Sequence, residues 1–111
     1  MLNYTIVDSD SAFAALLTSW RTCGVQLVAM DFEGEFNLHI YGEHLCLIQL
    51  FDGNSYYLVD PFTVSQESLK GFLEDAALQK IMFDCASDSA LVRKQYGIIM
   101  EGVYDIRVLA L

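Results

Sequence analysis

Two apolar runs joined by a turn signal constrain the fold of this chain more than any other feature. Residues 45–51 and 55–59 are rich in aliphatic and aromatic side chains, and Asp52-Gly53-Asn54 separates them. An Asp-Gly pair supplies the positive-φ conformation that joins antiparallel strands, so the sequence predicts a β-hairpin. Pro61 has no backbone N–H and therefore stops the second strand. The apolar run 25–32 precedes the hairpin, and we expect the three strands to pair in sequence as a meander.

The rest of the chain alternates between strand and helix signals. Asp8, Ser9 and Asp10 are candidate N-caps of a helix over 11–22 that ends at Gly24, and Trp20 falls on its apolar face. Residues 34–44 are expected to be irregular. The other predicted elements are a strand over 3–7, a helix over 65–78, a strand over 80–83, a helix over 88–96, a strand at 103–104 and a helix start after Asp105. The prediction is one α/β domain over residues 1–111, with a mixed sheet.

Charge and cysteine usage limit the function classes. Acidic residues outnumber basic ones 15 to 6, and a net charge of −9 argues against a broad basic surface for nucleic acid. The surplus carboxylates either keep the protein soluble or hold divalent cations. Three widely spaced cysteines favour neither a disulfide framework nor a structural zinc site, and they fit a reducing cytoplasm. No apolar run approaches the roughly 18 residues of a membrane span, so we expect no membrane association.

The last residues form an apolar helix start without a C-cap or a cationic last turn. This pattern predicts a longer natural protein, descent from a longer ancestor, or a partner that covers the end. One such partner is a second copy of the chain, in a homodimer. The apolar residues of this segment are Ile106, Val108, Leu109 and Leu111.

Asp31 and Glu33 are the first pair of candidate functional residues. They stand two apart on a predicted strand, so both face one side while Met30 and Phe32 face the other. Away from water, two such carboxylates repel each other unless a cation lies between them. Hard oxygen ligands of this kind select Mg²⁺ or Mn²⁺. The alternative is a solvated acidic strand edge.

Asp84 and Asp88 form a second acidic cluster, between a predicted strand exit and the first turn of a helix. Asp88 is either a ligand or an ordinary acidic residue at a helix N-terminus, and Asp84 fits a turn position. Three carboxylates from two strand ends, namely Asp31, Glu33 and Asp88, are what a two-metal phosphoryl-transfer site needs.

These residues form a recognisable pattern. Asp31-Phe32-Glu33, followed by CLIQLFDGNSYYLVDPF over residues 46–62, resembles the ribonuclease D branch of the DEDD 3′-5′ exonucleases. The stretch FDCASDSALVRKQYGI (83–98), which contains Asp88, resembles the family's second motif, and GVYDIRVLA (102–110) resembles its Phe-Asp-Thr helix start. The resemblance extends from residue 4 to residue 111.

The resemblance implies a ribonuclease H-like sheet and a metal-dependent 3′-5′ exonuclease. Asp31, Glu33 and Asp88 would be the catalytic metal ligands for Mg²⁺ or Mn²⁺, with Asp31 bridging two ions. The implied substrate is a single-stranded 3′ end of RNA or DNA, from which nucleoside monophosphates are released.

The sequence departs from the family pattern in two places. The family's last motif, a Tyr or His shortly before a fourth Asp, would lie beyond Leu111. Phe83-Asp84 stands where the family commonly has His followed by Asp or Asn. The alternative function is therefore a catalytically inactive exonuclease-fold module that binds nucleic acid or another protein.

Residues after the acidic pair supply candidate substrate contacts. His39 and His44 could contact a terminal phosphate, and Phe36 and Tyr41 could stack on a base. The alternatives are exposed loop histidines and hairpin packing, respectively.

Overall fold

A six-stranded mixed sheet is the framework of the residues that the structure describes. The structure is a computed structural model that describes residues 4–37, 42–82, 90, 92–94 and 96–106, with the backbone alone at 33–37 and 42–46. Within these ranges the elements are β1 (Tyr4–Val7), α1 (Asp10–Cys23), β2 (Leu27–Asn37), β3 (Gly42–Phe51), β4 (Tyr56–Val59), α2 (Gln66–Leu73), β5 (Gln79–Met82) and β6 (Val103–Asp105).

The strand order is β1-β4-β3-β2-β5-β6. Antiparallel pairing joins β2 to β3 and β3 to β4, which confirms the predicted meander. Parallel pairing joins β1 to β4, β2 to β5, and β5 to β6. The α/β class with a mixed sheet is therefore confirmed.

The ends of α1 follow from local chemistry. Ser9 is the N-cap, and its side chain accepts a hydrogen bond from the backbone N–H of Ala12 at 3.1 Å. Gly24 ends the helix at φ 76°, a left-handed conformation that favours glycine. Trp20 is 3% exposed, so its prediction as a core residue is confirmed.

The β3–β4 hairpin turns through residues 52–55, because Phe51 and Tyr56 are its last paired residues. Gly53 has φ 94°, as the Asp-Gly signal predicts. The Asp52 carboxylate accepts hydrogen bonds from the backbone N–H groups of Asn54 and Ser55 at 2.9 and 2.7 Å. Its other oxygen accepts from Nε1 of Trp20 at 2.9 Å, which links the hairpin to α1.

The hydrophobic core lies between the sheet and the two helices. Phe13 of α1 and Phe72 of α2 meet edge to face, with ring centroids 5.6 Å apart. Lys80 is fully buried beneath them, where Nζ donates to the carbonyl oxygens of Asp75 at 2.6 Å and Glu101 at 3.3 Å. Burial lowers the pKa of Lys80 to about 8, although the charges of Asp75 and Glu101 oppose the shift.

Two predicted boundaries are wrong. The stretch 34–44 is not irregular throughout, because β2 continues to Asn37 and β3 begins at Gly42. The backbone groups of the two strands hydrogen-bond to each other there. The polar and aromatic side chains of this stretch do not indicate that pairing. The helix predicted over 65–78 ends at Leu73, because the chain turns at Glu74 and the N–H of Leu78 bonds to the carbonyl of Asp75.

The segment between β5 and β6 is helical at residues 90, 92–94 and 96. Gly97 ends it at φ 66°, with its N–H bonded to the carbonyl of Arg93 at 3.0 Å, as the C′ prediction requires. In the described part of the chain, no helix is long and apolar enough to cross a membrane.

Candidate functional site

Asp31 lies on the face of β2 that points away from the helices. Its strand neighbours Val28, Met30 and Phe32 are buried at 1%, 4% and 7% exposure, whereas Asp31 itself is exposed. Side chains alternate along a strand, so β2 presents apolar residues to the core and Asp31 to the opposite side. We call this opposite side the open face.

Strand register defines the rest of the open face. Asp31 pairs with Gln49, which in turn pairs with Leu58, and Leu58 pairs with Ile6. Ile6 is 66% exposed, and Tyr4, Leu27 and Tyr104 on the same face are 42%, 44% and 47% exposed. The described residues of the open face are Tyr4, Ile6, Leu27, Ala29, Asp31, Leu47, Gln49, Phe51, Tyr56, Leu58, Gln79, Ile81 and Tyr104.

Glu33 follows Asp31 by two residues in β2. Their Cα atoms are separated by two strand residues, roughly 7 Å. Immediately after Glu33 the pairing with β3 shifts by one residue, from Glu33 opposite Leu47 to Gly34 opposite Leu45. This bulge re-aims the strands beside the acidic pair, a feature that often accompanies active sites.

Asp31 lies on β2 beyond the last described pair with β5. That pair is Ala29 opposite Ile81, and Asp31 lies two residues further along β2. Because these strands are parallel, their carboxyl ends lie at the same edge, where ligands of open α/β sheets bind. Asp84 and Asp88 follow the end of β5 in the sequence but lie outside the described residues.

The other predicted contacts are only partly described. Phe36 lies in β2 and His44 in β3, each with the backbone alone described. His39 and Tyr41 lie outside the described residues. Their predicted roles therefore stay predictions.

The Asp31 carboxylate is available to a ligand. It has no hydrogen-bond or ion-pair partner within the described ranges, while Gln49 opposite it is half-buried and already engaged. Those ranges bring no three His, Cys, Asp or Glu side chains together as a metal site. They include only one of the three predicted ligand side chains, that of Asp31. Exposed carboxylates on a rigid strand have the donor chemistry that Mg²⁺ and Mn²⁺ require.

Sequence reasoning overlooked a cavity of about 590 Å³ lined by Arg93 and Lys94 together with apolar residues. The sequence signal that could have indicated this cavity is that two of the six basic residues stand at consecutive positions in an acidic chain.

Comparison with known proteins agrees with the fold. A family model described as 3′-5′ exonuclease matches residues 4–111. Ribonuclease D of Escherichia coli (strain K12) is 30% identical over 110 residues, which cover 98% of this chain and 28% of that protein. The chain thus spans little more than a quarter of the length of this curated relative.

Solved structures show the same architecture. The crystal structure of E. coli ribonuclease D, described as an exoribonuclease involved in structured RNA processing, superposes with a TM-score of 0.83 at 29% identity, covering 98% of this chain and 28% of the other. Ribonuclease D of Trypanosoma brucei in complex with RNA U12 gives 0.79 at 24% identity, covering 98% and 39%. An EXD2 exonuclease domain soaked in Mn gives 0.79 at 20% identity, covering 97% and 58%. The predicted ribonuclease H-like sheet is confirmed.

Proposed function

The chain belongs to the 3′-5′ exonuclease family, on its ribonuclease D-like branch, and from that premise we propose that it removes nucleoside monophosphates from the 3′ end of single-stranded RNA with the help of divalent metal ions. The observation that carries the proposal is the exposed carboxylate of Asp31 on the open face, which has no hydrogen-bond or ion-pair partner among the residues that the structure describes. Asp31, Glu33 and Asp88 are the proposed catalytic residues and metal ligands.

The neighbours of Asp31 in β2 fix the orientation of this proposed metal ligand. Met30 and Phe32 are buried on either side of Asp31 in the sequence, so the strand cannot rotate without exposing them. Asp31 is thereby held toward solvent, where its oxygens, unpartnered among the described residues, would bind and orient a cation. When bound there, Mg²⁺ or Mn²⁺ supplies Lewis-acid activation of water and neutralises charge on the departing 3′ oxygen. The relative soaked in Mn supports this choice of cation.

RNA is the proposed substrate because one structural relative was solved with RNA U12. A chain with net charge −9 has little basic surface to attract phosphates, so the metal ions would supply much of the attraction. Removal of metal is therefore expected to weaken RNA binding as well as cleavage. Phe36 and His39 are proposed substrate contacts beside the acidic pair. DNA is the alternative substrate.

We also propose that the protein works in a reducing cytoplasm. Cys23 is a free, exposed thiol, which fits a reducing compartment better than an oxidising one. A fluorescent fusion of the protein, imaged in its cell of origin, tests this location.

The decisive experiment follows the cleavage of 5′-labelled single-stranded RNA, and of the matched DNA, by the 111-residue chain in Mn²⁺. We expect a ladder that shortens from the 3′ end and that disappears when EDTA removes the metal. Asp31→Asn removes one charge from the proposed site and should abolish the ladder. Glu67→Gln is the matched control, since it makes the same charge change at an exposed position of α2.

Three outcomes distinguish the alternatives. Loss of the ladder in Asp31→Asn but not in Glu67→Gln supports the proposal. A ladder that survives Asp31→Asn overturns the assignment of Asp31. No ladder at high concentration, with RNA still bound, favours the catalytically inactive binding module. Sedimentation of the same sample tests the predicted homodimer.

A further inference from the structure

Two of the few cations in this acidic chain lie together at the end of the helical segment before β6. The sequence has six basic residues, and Arg93 and Lys94 are both exposed. They line a cavity of about 590 Å³ with Ala90, Ile98, Ile99 and Met100. None of these described lining residues is acidic, although acidic residues outnumber basic ones 15 to 6 in the whole chain.

Buried side chains and backbone hydrogen bonds anchor the wall of this cavity to the rest of the fold. Val92 and Ile98 are 0% and 1% exposed in the core, so Arg93 and Lys94 are carried on a segment whose other side is anchored. The N–H of Ile99 donates to Oε2 of Glu74 at 3.0 Å, which ties the far wall to the end of α2. The N–H of Glu101 donates to the carbonyl of Leu73 at 2.8 Å.

The residues that line the cavity match the two chemical parts of a nucleotide, its charged phosphate and its sugar or base face. Arg93 and Lys94 are donors for phosphate oxygens, and arginine can bind them in a bidentate manner. Ile99 is 56% exposed and offers an apolar surface beside these cations, suited to a sugar or base face. The volume falls within the range of small-ligand pockets, roughly 300–1,000 Å³.

We propose that this cavity binds a phosphate-bearing nucleotide of the single-stranded RNA substrate, upstream of the 3′ end that is cleaved. The inference rests on the proposed function, because it assigns a second contact to the same RNA. The cavity is separate in sequence from Asp31 and Glu33, and its lining residues take no part in holding metal. Its role is to retain the strand in a chain that otherwise repels phosphates.

The test measures RNA affinity by fluorescence anisotropy over a range of salt concentrations. The probe is a 5′-fluorescein single-stranded U12 RNA with phosphorothioate linkages at its 3′ end, in Mg²⁺. The variant Arg93→Gln/Lys94→Gln removes both charges and keeps polar side chains of similar helix preference. We expect its Kd to rise about tenfold, and the slope of log K against log salt to fall by about 1.4 for two lost phosphate contacts.

Arg21→Gln/Lys70→Gln is the control, since it removes two exposed cations from α1 and α2. This control should change Kd less than about twofold. Equal weakening by both double variants would mean general electrostatics and would overturn the inference. So would unchanged binding by Arg93→Gln/Lys94→Gln, provided that thermal unfolding shows both variants folded.

The two proposals fail differently in these experiments. If RNA binds through Arg93 and Lys94 but no ladder forms, the exonuclease proposal fails and the nucleotide site stands. If the ladder forms while the double variant binds RNA normally, the site fails and the function stands. Binding of a poly-glutamate peptide in place of RNA would overturn the nucleotide assignment in favour of an acidic protein partner.

Discussion

Asp52 at the β3–β4 turn and Asp31 on the open face are both aspartates of the meander, yet their surroundings are opposite. Asp52 accepts hydrogen bonds from two backbone N–H groups, from Nε1 of Trp20 and, at 3.4 Å, from the hydroxyl of Tyr57. Burial raises the pKa of Asp52, but these hydrogen bonds outweigh burial and hold its pKa below the usual value. Asp31 is exposed, without such partners in the described ranges.

The difference separates a structural acid from a candidate functional one. The charge of Asp52 is satisfied by the fold, so this carboxylate contributes to stability and has little capacity left for a ligand. No described contact of the Asp31 carboxylate stabilises the fold. Its buried neighbours Met30 and Phe32 anchor that part of β2 in the core. A loss of function on changing Asp52, together with a loss of stability on changing Asp31, would contradict this comparison.

The largest effect is expected on catalysis. Asp31→Asn should reduce the rate of mononucleotide release by about 1,000-fold or more, because the proposed metal ligand would be lost from the transition state. The same change at Asp52 should leave the rate of the folded protein within about threefold of the original. Single-turnover cleavage of labelled RNA in Mn²⁺ measures both. A larger loss of rate in Asp52→Asn than in Asp31→Asn would reverse the assignment.

The next effect is on stability. Asp52→Ala should lower the free energy of unfolding by about 3 kcal/mol, because it leaves the indole N–H of Trp20 and two turn N–H groups without their acceptor. Asp31→Ala should leave the free energy of unfolding unchanged or slightly higher, since it removes one of two like charges that the sequence predicts to be neighbours. Urea unfolding followed by Trp20 fluorescence measures both variants. Equal destabilisation would contradict the distinction.

Metal binding should also distinguish Asp31 from Asp52. At a Mn²⁺ concentration 100 times Kd, the original chain should gain about 2.7 kcal/mol of stability, because the ion binds only the folded state. Asp52→Asn should retain this gain relative to its own metal-free value, and Asp31→Asn should lose most of it. Thermal unfolding with and without Mn²⁺ is the measurement. A gain of the same size in Asp31→Asn would place the ion elsewhere.

Lys80 extends the comparison to a buried cation. Its folded pKa of about 8 lies below the ordinary 10.5, so the unfolded chain holds the proton more strongly between these values. Stability should therefore rise with pH above about 8, by about 2 kcal/mol at pH 9.5. Urea midpoints at pH 7 and 9.5 measure the rise. Lys80→Met should remove it, and an identical rise in that variant would assign the effect to another group.

Much of the fold is predictable because it depends on local signals. Ser9 caps α1, Gly24 ends it, and Gly53 sets the hairpin turn, each for a reason contained in a few neighbouring residues. The alternation around Asp31 likewise predicts which side of β2 is apolar. The extension of β2 to Asn37 was not predictable in this way, because the pairing of its end with β3 does not appear as a hydrophobic pattern.

The roles of Asp52 and Lys80 were equally hidden. Trp20 is 32 residues from the carboxylate that it contacts, and the two carbonyls that bind Lys80 come from separate turns. A lysine in a short strand normally indicates an edge or an exposed position, whereas here the fold supplies oxygens that satisfy it.

By itself, the sequence determined the helix caps, the meander and which side of β2 is apolar, because backbone preferences and the two-residue period of a strand act locally. Only the tertiary structure decided that β2 and β5 lie side by side in parallel, which brings their carboxyl ends to one edge. It also decided that the Asp52 carboxylate is fully hydrogen-bonded while Asp31 has no partner among the described residues. Those outcomes depend on contacts between residues far apart in the chain, whose free energies no local pattern encodes.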